Sequence, residues 1–323
     1  MDFNLKEIAI KNIDFSDTTF QISYPAYDGG IEQSIADSGF LSSPVVKEKD
    51  DKYLIISGFR RLHAAKKLNL ESVTCIVSDF DDYKAFKFAV MDNLSQRKLN
   101  IFEISMVIEK FHSLFNLDYC VIAREILPLL GYPPSAKLID RLLFADKFSQ
   151  TQKKILFESG VEPEKILSFQ FIEKEIWDEA IRLLCELKPG VNKFNQILEL
   201  IKEISQRENI SQKEVLAKPD VRVVLENGNL TAPQKTDQLR IALFSLRNPE
   251  VSGFEEEYSK RMRKLNIGKN LKISPPQSFE NEVFKMEFSF KNVGELKKNI
   301  EDLIRLSEKK ELDDLIDLVR KVR

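Results

Sequence analysis

The stretch ISGFRRLHAAKKL, residues 56–68, joins the end of a predicted strand to the start of a predicted helix. Its apolar residues recur at three-residue spacing, which is typical of a helix that packs one face on a core. The first turn of a helix exposes unpaired backbone N–H groups and the positive end of the helix dipole. Arg60 and Arg61 stand in that turn, where their charges oppose the dipole unless an anion lies between them.

The same stretch predicts a phosphate-binding site. Gly58 removes a side chain at the turn, so a ligand can approach the backbone closely, and Ser57 is the expected N-cap. Backbone N–H groups and the guanidinium groups of Arg60 and Arg61 suit phosphate oxygens, and His63 lies one turn further on. Neighbouring helical residues point about 100° apart, so one arginine should meet phosphate and the other a second loop or a carboxylate. Two surface arginines on an amphipathic helix are the alternative that periodicity leaves open.

The segments around this stretch predict a small α/β unit. Alternating apolar residues indicate strands, a charged turn between two β-rich runs indicates a hairpin, and a glycine after an apolar face indicates a helix end. The predicted elements are a strand at 7–13, a helix at 31–38 followed by Gly39, a hairpin at 45–57 and a strand at 73–77.

Beyond residue 100 the apolar spacing becomes that of helices. Residues 121–148 read as helix, tight turn, helix, with Ser135 as the N-cap of the second helix. The C-terminal part predicts two helices around NPEVSG, a strand pair with one buried face at 284–290, and closing amphipathic helices. We therefore predict an α+β, mostly helical fold. Its domains are a small mixed α/β unit at 1–99, an all-α region with a helix-turn-helix at 100–209, and C-terminal helices plus a small strand pair at 210–323.

A second polar cluster lies in MDNLSQRKLNIFEIS, residues 91–105, between an apolar run and the start of a helix. At such a junction Asp92 is the candidate ligand for a divalent cation, and Asn93 is a candidate ligand for phosphate or base. The alternative is an ordinary solvated linker with asparagine caps.

Charge and composition limit the function classes. Lysine and arginine total 49 and aspartate and glutamate 51, giving a net charge of −2, so nucleic-acid contacts must be local. The three cysteines lie in apolar runs and are expected to be buried, reduced thiols. The N-terminus lacks the features of a signal peptide and no long apolar run is present, so we expect a cytoplasmic protein with no membrane partner.

The order of these motifs resembles the N-terminal domain of the ParB family of chromosome and plasmid partition proteins. The segments are DSGFLSSPVV, ISGFRRLHAAKKL and DNLSQRKLNIFE, followed by the helix-turn-helix pattern, over roughly residues 1–150. The resemblance implies a ParB/sulfiredoxin-like fold that binds CTP with Mg²⁺ and closes a dimer around DNA. It assigns the triphosphate to Gly58, Arg60 and Arg61, and the metal and nucleotide to Asp92 and Asn93.

The sequence departs from the family pattern at informative positions. Phe59 stands where the family signature GERR has a glutamate implicated in hydrolysis, which implies nucleotide binding without turnover. Ser43 replaces a family glutamine. The second helix of the helix-turn-helix offers Lys137 and Arg141 as DNA-binding residues, a thin basic set interrupted by aspartates.

The leading interpretation is a ParB-like, nucleotide-binding DNA-binding protein in chromosome or plasmid partition, dimeric through its C-terminal helices. Because the ParB fold is similar to sulfiredoxins, some small kinases and proposed nucleases, an enzyme acting on phosphates is one alternative. Its general base would be Asp92 or an acid from residues 78–83. The second alternative is an adaptor that has lost nucleotide binding.

Overall fold

The computed structural model describes residues 4–26, 30–265, 271–274 and 284–320. It confirms the predicted fold class: a small mixed sheet with helices comes first, a long all-helical region follows, and a strand pair with helices closes the chain.

The N-terminal sheet has five strands in the order β1-β5-β3-β4-β2. The pairs β1–β5 and β3–β4 are antiparallel, whereas the pairs β3–β5 and β2–β4 are parallel. The strands are β1 Asn4–Ala9, β2 Ile13–Asp14, β3 Val45–Lys49, β4 Lys52–Ser57 and β5 Ser72–Ser78. The helices of this part are α1 Glu32–Ser38, α2 Phe59–Lys67 and α3 Asp82–Gln96. The predicted hairpin, first helix and last strand are therefore present.

The predicted single strand at 7–13 is wrong. A 3-10 turn at Ile10–Asn12 divides it, and the two halves lie on opposite edges of the sheet. Four strand spacings in a flat sheet are about 19 Å, whereas the chain from Ala9 to Ile13 reaches at most about 14 Å. The sheet is therefore strongly curved, and alternation within one short run did not reveal the change of edge.

The helical region begins at residue 101. Its helices are α4 Ile101–Phe115, α5 Tyr119–Val121, α6 Ala136–Leu143, α7 Gln150–Glu158, α8 Pro163–Ser168, α9 Trp177–Leu187, α10 Val191–Glu208, α11 Gln212–Ala217, α12 Pro219–Glu226 and α13 Ala232–Arg247. A π-helical turn at Ile122–Ile126 continues α5, and the turn that follows leads into α6. Ser135 is the N-cap of α6 by position, but its side chain makes no capping hydrogen bond.

The C-terminal elements are α14 Pro249–Leu265, β6 Leu271–Ser274, β7 Lys285–Phe288, α15 Val293–Ser307 and α16 Lys310–Arg320. The strand pair is confirmed as antiparallel. Two details differ from expectation. Asn248 alone separates α13 from α14, because Pro249 is favourable in a helix's first turn. Along 284–290 the apolar face is not buried, since Met286 and Phe290 are exposed.

One continuous hydrophobic core runs from Ile8 in the sheet to Leu243 in α13, and a smaller cluster around Tyr258 and Leu315 holds the C-terminal elements together. Of the cysteines, only Cys75 is buried, because Cys120 lies on the surface and Cys185 is half-buried. Within the described ranges, no helix combines the length and the apolar character that crossing a bilayer requires.

Candidate functional site

The site predicted at the start of α2 is built on an unusual turn. Gly58, and not Ser57, is the N-cap, and it has a φ of 93° in the left-handed region that favours glycine. Ser57 is instead the buried last residue of β4, and its hydroxyl donates a short hydrogen bond to a carboxylate oxygen of Asp92 on α3. The turn therefore links the sheet edge, α2 and α3 at one point.

Gly58 also lies against the loop that precedes β3. A Cβ atom added at this position would lie 2.9 Å from the Cβ of Pro44 and 3.4 Å from the guanidinium carbon of Arg61. No side chain fits there without a shift of Pro44. The backbone N–H groups at the start of α2 are thus approached from one side by a loop and left without a capping side chain.

Arg61 matches the prediction that one arginine contacts a second loop. Its guanidinium donates to the carbonyl oxygen of Ser42 at 2.7 Å and also to the Ser42 hydroxyl. Burial lowers the pKa of Arg61, and the nearby carboxylate of Asp92 opposes that shift. A partly desolvated cation attracts an anion, whereas the nearby Asp92 carboxylate repels one unless a cation lies between them.

Arg60 is the second helical residue of α2 and lies half-buried beside this turn. The residue before it, Phe59, points into the core, where only 6% of its surface is exposed. The position that carries glutamate in the ParB signature is thus occupied here by a core side chain.

His63 lies one turn later on α2 and is turned toward a different neighbour. Its ring packs edge-on against Phe15 with 5.2 Å between centroids. Burial, together with nearby Lys66, lowers the pKa of His63 below its ordinary value, which favours the neutral ring. The structure therefore places His63 beside Phe15, at the far side of α2 from the contacts of Arg61.

The second predicted cluster is part of a helix and not a linker. Asp92 and Asn93 lie within α3, which extends through Gln96 because its apolar residues continue to pack on the sheet. Asn93 donates to the carbonyl oxygen of Ala89 at 2.9 Å and accepts from Arg97 at 3.3 Å. Asp92 therefore contacts Ser57 beside the α2 turn, whereas the Asn93 side chain contacts Arg97 at the end of α3.

Sequence reasoning missed Glu103, which is the partner of Arg97. The two side chains form a bidentate ion pair with N–O distances of 2.6 and 2.8 Å, and the Glu103 carboxylate is 1% exposed. Glu103 also accepts from the backbone N–H of Asn100 as part of a capping box at the start of α4. The pattern Asn100-x-x-Glu103 was the signal from which this role was predictable.

A metal site formed by the protein alone is not seen. Among the described residues, no group of three or more histidine, cysteine, aspartate or glutamate side chains is placed to hold an ion. Mg²⁺ is commonly held by one or two carboxylates together with substrate phosphates, and Asp92 with the Ser57 hydroxyl fits that partial donor set.

The two predicted DNA-binding residues lie elsewhere, on α6. Lys137 and Arg141 are both exposed and stand four residues apart, so they share one face of the helix, with Asp140 next to them. This helix packs on α4 through Ile139 and Leu142, which leaves its basic face open.

Comparison with known proteins points to one family. The sequence model of the family described as "ParB N-terminal domain" matches residues 5–94. Nucleoid occlusion proteins of Bacillus mycoides (strain KBAB4) and Bacillus anthracis (strain A0248) are each 29% identical over 209 residues, covering 57% of this chain and 69% of theirs.

Two solved structures share part of the fold. C-terminally truncated ParB from Caulobacter crescentus complexed to the centromeric parS site is 15% identical, with a TM-score of 0.37, covering 60% of this chain and 98% of that one. A Pnob8-like ParB-N domain is 14% identical, with a TM-score of 0.31, covering 75% of this chain and 98% of that one.

Proposed function

Because residues 5–94 of this chain are a ParB N-terminal domain, we propose that it is a nucleotide-binding, DNA-binding factor of the partition and nucleoid occlusion type. The nucleotide is CTP or a related triphosphate bound with Mg²⁺ at the start of α2. The single observation that carries the proposal is the glycine-capped turn between β4 and α2, where the helix has no capping side chain, its first turn carries Arg60, and the partly desolvated Arg61 lies near Asp92.

The roles of the two arginines differ. Arg61 holds the Ser42 loop against the turn, so it shapes the wall of the site while adding charge. Arg60, in the first turn of α2, is the phosphate ligand, with the N–H groups that follow Gly58 binding the same oxygens. Asp92 and Ser57 would hold Mg²⁺, which neutralises phosphate charge when bound.

The site favours holding a nucleotide over hydrolysing it. A general base has to reach an attacking water, and Asp92 is already paired with Ser57. The side chain at position 59 faces the core and offers no polar atom. The enzyme alternative therefore lacks an evident base at this turn.

We expect Arg60→Ala to weaken CTP binding at least about tenfold, because a charge-assisted hydrogen bond to phosphate contributes about 1.5–3 kcal/mol. Calorimetric titration with CTP, ATP and GTP in the presence of Mg²⁺ measures this effect, and phosphate release is followed in the same samples. Arg182→Ala is the matched control, since Arg182 is an exposed arginine on α9.

Unchanged CTP affinity in Arg60→Ala would place the nucleotide away from α2. Steady phosphate release by the unmodified chain supports the enzyme, and no heat with any nucleotide leaves the adaptor as the remaining function.

For DNA, we expect the exposed face of α6 to contact phosphates. Lys137→Ala and Arg141→Ala should each reduce the slope of log affinity against log salt by about 1, because each contact removed releases one counterion fewer. Retention on duplex DNA across a salt series measures the slope. Lys154→Ala on the exposed face of α7 serves as the control and should leave it unchanged.

The C-terminal part supports a homodimer. Large apolar side chains are exposed together along β7 and α15: Met286, Phe290, Val293, Ile300 and Ile304. The double change Ile300→Glu, Ile304→Glu should turn a dimer into a monomer in sedimentation equilibrium, because it removes apolar contact area and introduces like charges on both copies. Glu301→Gln on the same helix is the control, and a dimer that persists in the double variant rules out this surface.

A further inference from the structure

Residues 15–26, here called the strap, run between β2 and the segment that leads to α1. The strap lacks regular secondary structure over most of its length, yet Phe20 and Ile22 within it are fully buried in the main core. A connection of this kind usually lies on the surface, because its backbone polar groups need partners. Some backbone groups of the strap are bonded locally, since Thr19 donates to Asp17 and Gln21 donates to the Thr18 carbonyl oxygen, and others are bonded by side chains at the start of α4 and along it.

The first residue of the strap packs on the helix that carries the candidate phosphate site. Phe15 contacts the ring of His63, and the Lys66 ammonium lies 4.5 Å from the centre of the Phe15 ring. Both partners belong to α2, within two turns of Arg60. The strap therefore begins in direct contact with the helix of the candidate site.

The middle of the strap is held by one lysine of α4. The Lys110 ammonium donates to the backbone carbonyl oxygens of Thr18, Thr19 and Gln21, at 2.5, 3.1 and 2.7 Å. An ammonium has three protons, so all three are used on strap carbonyls. The three carbonyls belong to irregular backbone, and the Thr18 carbonyl also accepts from the backbone N–H of Gln21 at 3.1 Å, which closes a turn beneath the ammonium.

The last part of the strap is held by Glu103, two turns earlier on the same helix. Its carboxylate accepts from the backbone N–H of Tyr24 at 2.9 Å, and the Asn100 side chain donates to the Tyr24 carbonyl at 2.9 Å. The Tyr24 ring packs between Phe102 of α4 and Phe157 of α7. Residues 103 and 110 are seven apart and therefore share one face of α4. Along this face the Lys110 ammonium bonds strap carbonyls, and the Glu103 carboxylate bonds a strap N–H.

The helix that holds the strap, α4, also contacts the elements that follow it in the chain. α4 packs against α6 and against the 3-10 turn Phe144–Lys147 that follows it. We propose that the strap fixes the position of α4 relative to α2. Because α6 packs on α4, the strap thereby sets the orientation of α6 relative to the N-terminal sheet. Glu103 and Lys110 are the positioning residues of this device. The inference rests on contacts within the chain and stands whether or not the α2 turn binds a nucleotide.

The contacts of Glu103 and Lys110 with the strap backbone, here called the two ties, are polar and can be removed without changing the apolar packing. Every donor around the Glu103 carboxylate, from Tyr24, Asn100 and Arg97, requires an acceptor at the same place. A glutamine has the shape of glutamate, but its NH₂ group would face another donor. Glu103→Gln and Lys110→Met therefore remove the ties with little change in volume, and they report on polar fastening and not on core packing.

The test measures a distance in the ligand-free chain. Spin labels are placed at Asp51→Cys in the turn between β3 and β4 and at Asp140→Cys on α6, with Cys120 and Cys185 changed to serine. Both labelled positions are exposed. The labelled chain with Glu103 and Lys110 intact should give one narrow distribution of the distance between the two labels. Glu103→Gln and Lys110→Met should each broaden this distribution or add a second population. Melting temperature is recorded on the same samples.

Two controls make the same chemical changes outside the ties. Glu109→Gln changes an α4 carboxylate whose charge helps to raise the pKa of Tyr119, away from the strap. Lys98→Met removes an exposed ammonium before α4. Both should keep the narrow distribution. Equal distributions in all five proteins would overturn the proposal.

A measurement on the unmodified chain covers the case in which the variants fail to fold. In native-state hydrogen exchange with increasing denaturant, the amides of Ile22 and Tyr24 should open together with those of α2 and α4, about tenfold or more slower than exposed loop amides. Exchange of these strap amides at the rate of exposed loops would show that the strap is not held on α2 and α4, and would overturn the proposal.

Discussion

Phe59→Glu is expected to lower the free energy of unfolding by about 4 kcal/mol or more, because it removes a buried aromatic ring and places a carboxylate in the core. Phe59 is 6% exposed and belongs to the main hydrophobic cluster. Restoring the residue of the ParB signature should therefore damage the fold and not create a hydrolase. Equilibrium unfolding in urea, followed by circular dichroism, measures the change.

Phe59→Leu is the matched control for this prediction. A similar apolar volume in the same site should cost less than about 1.5 kcal/mol. If Phe59→Glu instead keeps the stability of the unmodified chain and gains CTP hydrolysis, the side chain at position 59 can reach the site, and the core assignment of this position is wrong.

Arg97→Met is expected to cost about 3 kcal/mol, because it leaves the buried Glu103 carboxylate without its counter-charge. The arginine itself is 35% exposed, so most of the loss comes from the glutamate that stays behind. In the Glu103→Gln background the same change should cost less, since no buried negative charge remains. Chemical denaturation of the four proteins of this double-mutant cycle gives the coupling free energy.

An exposed ion pair provides the comparison. Arg124 and Glu125 are 3.0 Å apart with both side chains largely in solvent, so Arg124→Met should leave stability almost unchanged. A coupling energy near zero for Arg97 and Glu103 would mean that the backbone N–H groups of Tyr24 and Asn100 stabilise the carboxylate without help.

The candidate site was largely predictable because its signals are local. A glycine between a strand and a helix, with two arginines in the first turn, indicates a tight turn and a candidate anion site. Helical geometry also predicted that the two arginines face different neighbours, and the structure places Arg61 on the Ser42 loop. The placement of His63 was not predictable, because its ring packs on Phe15, 48 positions earlier in the chain. Asn93 bonds to Ala89 and Arg97, four residues away on either side, but those contacts could be expected only once the segment was known to be helical.

The sequence by itself determined the fold class, the hairpin, the helix-rich middle and the position of the glycine turn before α2, since periodicity and turn chemistry depend on near neighbours. Only the tertiary structure decided that residues 4–14 serve both edges of a curved sheet, that Phe59 faces the core, and that Glu103 and Lys110 hold the strap. The physical reason is distance along the chain. These contacts join residues about eighty to ninety positions apart, or depend on sheet curvature, and no local pattern carries that information.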